Sequence, residues 1–79
     1  MPLKVYTVPT SPWCKRAIAF LNSKRLAFEE VDVTRRRASL DELRALSGQI
    51  GVPVTTDGRT VVIGFDVAAL GKFAKASRV

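Results

Sequence analysis

Histidine is missing from this sequence, and cysteine occurs once, as Cys14. Without histidine there can be no Cys/His zinc site and no Cys–His catalytic pair, and a lone cysteine cannot build an internal disulfide framework. Long apolar runs are missing too. None approaches the length of a membrane span, and Met1-Pro2-Leu3-Lys4 leads straight into a predicted strand without the apolar region of a signal peptide. The expectation is a cytoplasmic protein with no membrane partner, no metal and no tightly bound cofactor. Acidic residues are few: 7 stand against 13 lysines and arginines, and the resulting charge of +6 favours acidic partners. The basic residues are nonetheless scattered, and only Arg35-Arg36-Arg37 forms a run. A run of three at an element boundary reads as a solvated face, so nucleic acid is not an expected partner.

What is present describes one small folded domain, residues 1–79. Apolar residues make up 47% and charged residues 25%, enough apolar content for a core and too little charge for a disordered chain. Leu3 to Val8 reads as a strand closed by Pro9. Ser11 then offers a hydroxyl to a free backbone N–H, and Pro12 at the first helical position loses nothing by lacking its own. That predicts a helix from Pro12 to about Arg25, with Trp13, Ala17, Ile18, Phe20 and Leu21 largely on one face. Cys14 falls in its first turn, where backbone N–H groups and the helix dipole favour a thiolate.

Ala27 to Val33 is β-branched enough to be a second strand, completing a right-handed βαβ unit with parallel strands. Ser39-Leu40-Asp41-Glu42 has the form of a capping box, and Leu40, Leu43 and Leu46 give a helical stripe that ends at Gly48. Asp57-Gly58 between β-branched runs predicts a hairpin with a two-residue turn, both residues at positive φ. Asp66 can cap a last helix whose apolar face is Val67, Leu70, Phe73 and Ala74. The order is βαβαββα.

Three separated motifs now align with those elements: Pro9-Thr10-Ser11-Pro12-Trp13-Cys14-Lys15-Arg16, Gly51-Val52-Pro53 and Gly64-Phe65-Asp66. With them the chain resembles, along nearly its whole length, the glutaredoxin branch of the thioredoxin fold. It looks most like the small bacterial glutaredoxin-like and ribonucleotide-reductase-linked redoxins. The resemblance implies an α/β thioredoxin fold with a four-stranded mixed sheet flanked by three helices, and a monomer. It also implies a cis bond at Val52-Pro53, with the Val52 backbone pairing with the peptide part of glutathione or of a protein substrate. Gly64-Phe65-Asp66 would hold the γ-glutamyl end of glutathione, with helix-start N–H groups facing its carboxylate and Asp66 facing its ammonium group. The competing reading of Asp66 is a plain N-cap, and Phe65 replaces a second glycine that many relatives carry. Gln49 matches a polar position that helps bind the glycyl carboxylate, and Trp13 would pack over the site as a lid.

The departure lies at the centre. The family motif is Cys-x-x-Cys or Cys-x-x-Ser, and this chain has Ser11 where the nucleophilic cysteine belongs. Cys14 matches the resolving position, and its bland reading is an inert, small, half-buried hydrophobe. An alcohol has no comparable ionised fraction at neutral pH, and no histidine is available to activate it. Either a cysteine was replaced in an ordinary member, or the chain has lost its nucleophile. The implied activity is thiol–disulfide exchange on glutathione mixed disulfides or protein disulfides. Electrons would come from glutathione or a thioredoxin-type reductase, and the activity would be disabled or reduced to single-thiol chemistry through Cys14. The alternative is a non-catalytic module that binds glutathione or a partner protein in the same groove. Iron–sulfur binding is not expected, because monothiol relatives use the first-position cysteine for it.

Overall fold

Strand β1 (Leu3–Thr7) lies inside the sheet of the computed structural model, which describes residues 3–76, so both of its faces need cover. The elements follow as α1 (Pro12–Ser23), β2 (Phe28–Asp32), α2 (Arg37–Ser47), β3 (Val54–Thr56), β4 (Val61–Ile63) and α3 (Val67–Ala76). Sheet order is β2-β1-β3-β4. β1 runs parallel to β2, with Leu3 opposite Phe28, and antiparallel to β3, with Val5 opposite Thr55. This is the expected thioredoxin-like fold, with a mixed four-stranded sheet and three helices.

Alternation along β1 decides which helix covers which face, because successive strand side chains point to opposite sides. Leu3 and Val5 join Ala17 and Leu21 of α1 and Leu70 and Phe73 of α3 in one core. Tyr6 and Val54 join Leu43 of α2 in a second core on the other side. β2 at the sheet edge reads Phe-Glu-Glu-Val-Asp. Charges on an edge strand discourage pairing with another chain.

The end of α1 explains a residue that sequence pattern passed over. Arg25 has φ 57°, the Leu26 amide donates to the Leu21 carbonyl at 3.1 Å, and the Arg25 amide donates to the Asn22 carbonyl at 3.0 Å. This is a Schellman closure, and Leu21 and Leu26 supply its apolar contact within the first core. Arginine occupies a left-handed position that glycine fills without steric cost. Arg25→Gly is therefore expected to stabilise the fold by about 0.5–1 kcal/mol in urea denaturation. A destabilised variant would contradict this.

Two predicted devices are built differently. The capping box at Ser39–Glu42 is not used: α2 begins at Arg37, with Arg36 as an N-cap that makes no side-chain bond, so Ser39 is already inside the helix. Glu42 faces the sheet instead, accepting a hydrogen bond from the buried Tyr6 hydroxyl and pairing with Lys4 at 3.5 Å. A long-range buried donor competes better for this carboxylate than a local amide that water can serve. That bond is the main cause of a Glu42 carboxyl held below its ordinary value, while burial and then Glu42 push the Tyr6 hydroxyl well above the usual phenol range. Leu46, expected on the apolar stripe of α2, remains 38% exposed because Leu43 alone fills the buried position there. Gly48 ends the helix as expected, at φ 73°.

The hairpin forms, but its loop is longer than two residues. Thr56 pairs with Val61, leaving residues 57–60 as the connection, and only Gly58, at φ 97°, has positive φ. Asp57 acts through its side chain: Oδ1 accepts from the Thr60 amide at 2.8 Å and the Arg59 amide at 2.9 Å. Those two bonds hold its carboxyl below the ordinary range. Because the folded value is the lower one, the stabilisation is complete above the unfolded carboxylate range and is lost as pH falls through the folded value. Asp57→Asn keeps an acceptor oxygen without a titrating group, so Tm should fall less steeply with acidification in the variant than in the parent. Equal slopes would remove Asp57 from the acid response.

Candidate functional site

The turn from β1 into α1 fixes the first motif. The Ser11 amide donates to the Val8 carbonyl at 3.2 Å, and its Oγ accepts from the Cys14 amide at 3.3 Å. Ser11 is thus the N-cap, Pro12 opens the helix and Cys14 is its third residue. The sequence anticipated this capping geometry. Cys14 is 2% exposed, deeper than the half-buried hydrophobe of its bland reading and in line with the more buried sulfur that the resolving position implies. A bulky disulfide cannot reach that sulfur without movement of the loop, whereas Ser11 is only half-buried.

Two contacts draw the other motifs to this loop. The Trp13 and Phe65 rings lie 6.3 Å apart at 38°, and Phe65 meets Phe20 edge to face at 6.4 Å. Phe65 ties the turn around Ser11 and Cys14 to the start of α3 through Trp13 and Phe20. The Gly64 amide donates to the Pro53 carbonyl at 2.7 Å, with Gly64 in the left-handed region at φ 80°. That bond joins the second motif to the third. Val52-Pro53 is cis, Pro53 is buried, and Val52 is half-buried beside the second core.

Trp13 is 52% exposed, with the Arg16 guanidinium 4.6 Å from its ring centre. A cation over the indole face is a cation–π contact, and it places a positive charge beside the loop. Arg16 was missed in the sequence, although its i,i+3 spacing from Trp13 on a helix was a usable signal. Asp66 caps α3: Oδ1 accepts from the Ala69 amide at 3.1 Å, and the backbone carbonyl accepts from Leu70 at 2.8 Å. Its side chain is exposed, so capping leaves it open to an incoming group.

Gln49 is occupied locally. Its Nε2 donates to Ser47 Oγ at 3.2 Å and to the Gly51 carbonyl at 3.1 Å, while Oε1 accepts from the Gly51 amide. Both amide protons are committed to the loop that leads into Val52. Among the described residues no cluster of three or more His, Cys, Asp or Glu side chains is placed to hold a metal, and no helix is long and apolar enough to cross a membrane.

Residues 3–61 match the family model described as Glutaredoxin. A relative from Clostridium pasteurianum, described as an uncharacterized glutaredoxin-like 8.6 kDa protein in a rubredoxin operon, is 39% identical over 70 residues, covering 89% of this chain and 93% of the relative. The crystal structure of glutaredoxin from Archaeoglobus fulgidus superposes with a TM-score of 0.84 at 25% identity, covering 89% of this chain and 82% of that one. The glutaredoxin-like NrdH-redoxin from Escherichia coli, whose reported activity profile is thioredoxin-like, superposes with a TM-score of 0.83 at 22% identity, covering 91% of this chain and 93% of that one.

Proposed function

Because the chain belongs to the glutaredoxin family, we propose that it is a thiol–disulfide oxidoreductase scaffold, acting on glutathione mixed disulfides or protein disulfides, whose nucleophilic position is silenced by Ser11. The observation that carries this reading is the placement of Ser11 as N-cap with Cys14 buried one turn on. In the active arrangement a thiolate at position 11 attacks a substrate disulfide, the S–S bond breaks, and the departing sulfur takes a proton. The thiol at position 14 then attacks the mixed disulfide, releasing the second substrate thiol and leaving an intramolecular disulfide. Glutathione or a thioredoxin-type reductase returns the two electrons. With an alcohol at position 11 the first step does not occur, and only Cys14 retains sulfur chemistry.

Glutathione is the co-substrate this reading assigns, with the cytoplasm as the compartment where its reduced form is abundant. The Val52 backbone would pair with its peptide, and the N–H groups after Gly64 would receive its γ-glutamyl carboxylate. The exposed Asp66 carboxylate would face the ammonium group. Gln49 would reach the glycyl carboxylate only after exchanging one of its loop bonds.

The second reading, a binding module without catalysis, follows from the same alcohol and shares the same groove. Titration calorimetry with S-methylglutathione, which has no reactive thiol, tests the groove. Asp66→Asn keeps the N-cap oxygen and removes the charge, so its affinity should drop by roughly tenfold with little change in Tm. No heat with the parent chain, or equal affinity in the variant, would overturn the assignment of Asp66.

A further inference from the structure

A depression of about 650 Å³ opens between the end of β1, the turn after β2, α2 and the segment that follows it. Val8, Val33, Leu40 and Ile50 give it apolar walls, and Ile50 is 54% exposed. Arg36, Arg37 and Arg44 line it as well, against one carboxylate, Asp41. Among the described residues none of these three arginines forms an ion pair; Arg35, the first of the run, pairs with Asp32 instead. The spacing brings Arg44 two turns along α2 to the side where Arg36 and Arg37 begin it, which linear sequence shows only as a run of three and a distant fourth. Val8 also lines the neighbouring crevice that reaches Cys14, so the cationic groove and the redox loop share a wall.

We propose that this groove docks an acidic, apolar-containing segment of a protein whose disulfide lies at the redox loop. The inference rests on the oxidoreductase reading for the presence of the disulfide and not for the binding itself. Planar guanidinium groups take carboxylates bidentately, and three unpaired ones around an apolar wall match a segment that mixes glutamate or aspartate with leucine or valine. The protein's +6 charge adds steering toward such a partner. Nucleic acid fits less well: the groove offers no aromatic ring for a base to stack on, and Asp41 stands among the cations.

The test uses the chain as it stands. A fluorescent peptide disulfide flanked by glutamate and leucine, its glutamine counterpart and a single-stranded oligonucleotide are titrated by anisotropy at low and physiological salt. The acidic peptide should bind on the order of tenfold more tightly than the glutamine peptide. Arg36→Gln, Arg37→Gln and Arg44→Gln combined should erase that difference. Lys24→Gln, Lys72→Gln and Lys75→Gln, which alter a separate basic groove between α1 and α3, should preserve it, with circular dichroism confirming both variants folded. Equal binding of the two peptides, loss of binding through the lysines, or tighter arginine-dependent binding of the oligonucleotide would each overturn the proposal. Ser11→Cys assayed on a small disulfide reports the redox reading separately. If it is active there yet shows no preference for the acidic peptide, the groove fails and the oxidoreductase stands.

Discussion

Ser11→Cys is expected to raise glutathione-dependent disulfide reduction from background to a rate at least on the order of a hundredfold higher. The replacement is nearly isosteric, so the turn and the half-buried N-cap position are retained. What changes is chemistry. A thiol at a helix N-terminus can be substantially ionised at neutral pH, because the first-turn amides and the helix dipole stabilise its thiolate. A serine hydroxyl there is not ionised and has no base beside it, since the chain contains no histidine. Cys14 cannot substitute for it, being 2% exposed. The double variant Ser11→Cys with Cys14→Ser should retain reduction of glutathione mixed disulfides, which needs one thiol. It should lose reduction of protein disulfides, which needs the second sulfur to release the substrate. An inactive Ser11→Cys protein that still folds would refute the oxidoreductase reading.

The largest stability effect is expected at Leu70. It is fully buried, on α3, in the core shared with Leu3, Val5, Ala17 and Leu21. Truncating such a leucine to alanine costs about 3–4 kcal/mol from lost burial and the remaining cavity. A domain of this size holds only about 3–5 kcal/mol in reserve, so Leu70→Ala should lower Tm by about 15–25 °C or leave the protein largely unfolded. Because α3 begins just after Asp66 and packs beside Phe65, the variant should also lose glutathione-analogue binding before it fully melts. Leu46→Ala is the contrast, at 38% exposure on the opposite helix layer; its Tm should move by no more than about 3 °C. Comparable losses at the two leucines would mean that the core is not divided as described.

The element order and the capped turn into α1 were legible because their signals are local. Ser11-Pro12 at a helix start, the β-branched and aromatic content of Leu3 to Val8 closed by Pro9, and glycine after α2 each act within a few residues. The capping box failed for the opposite reason. Ser39 and Glu42 have the right spacing, but Glu42 is claimed by Tyr6, 36 residues away. The Asp57-Gly58 turn failed more mildly, since Asp57 supplies side-chain acceptor geometry in place of a left-handed backbone.

Sequence alone therefore determined the chemistry available: one thiol, no imidazole, and an alcohol at the position to which the proposed mechanism assigns the nucleophile. No tertiary arrangement can add an ionisable thiol to Ser11. The tertiary structure decided access and company. Packing left Cys14 only 2% exposed at the wall of a crevice, drew Phe65 against Trp13, bonded Gly64 to Pro53 and gathered Arg36, Arg37 and Arg44 around one groove. Those outcomes depend on how two helix layers close over a twisted sheet, and no local run of residues encodes them.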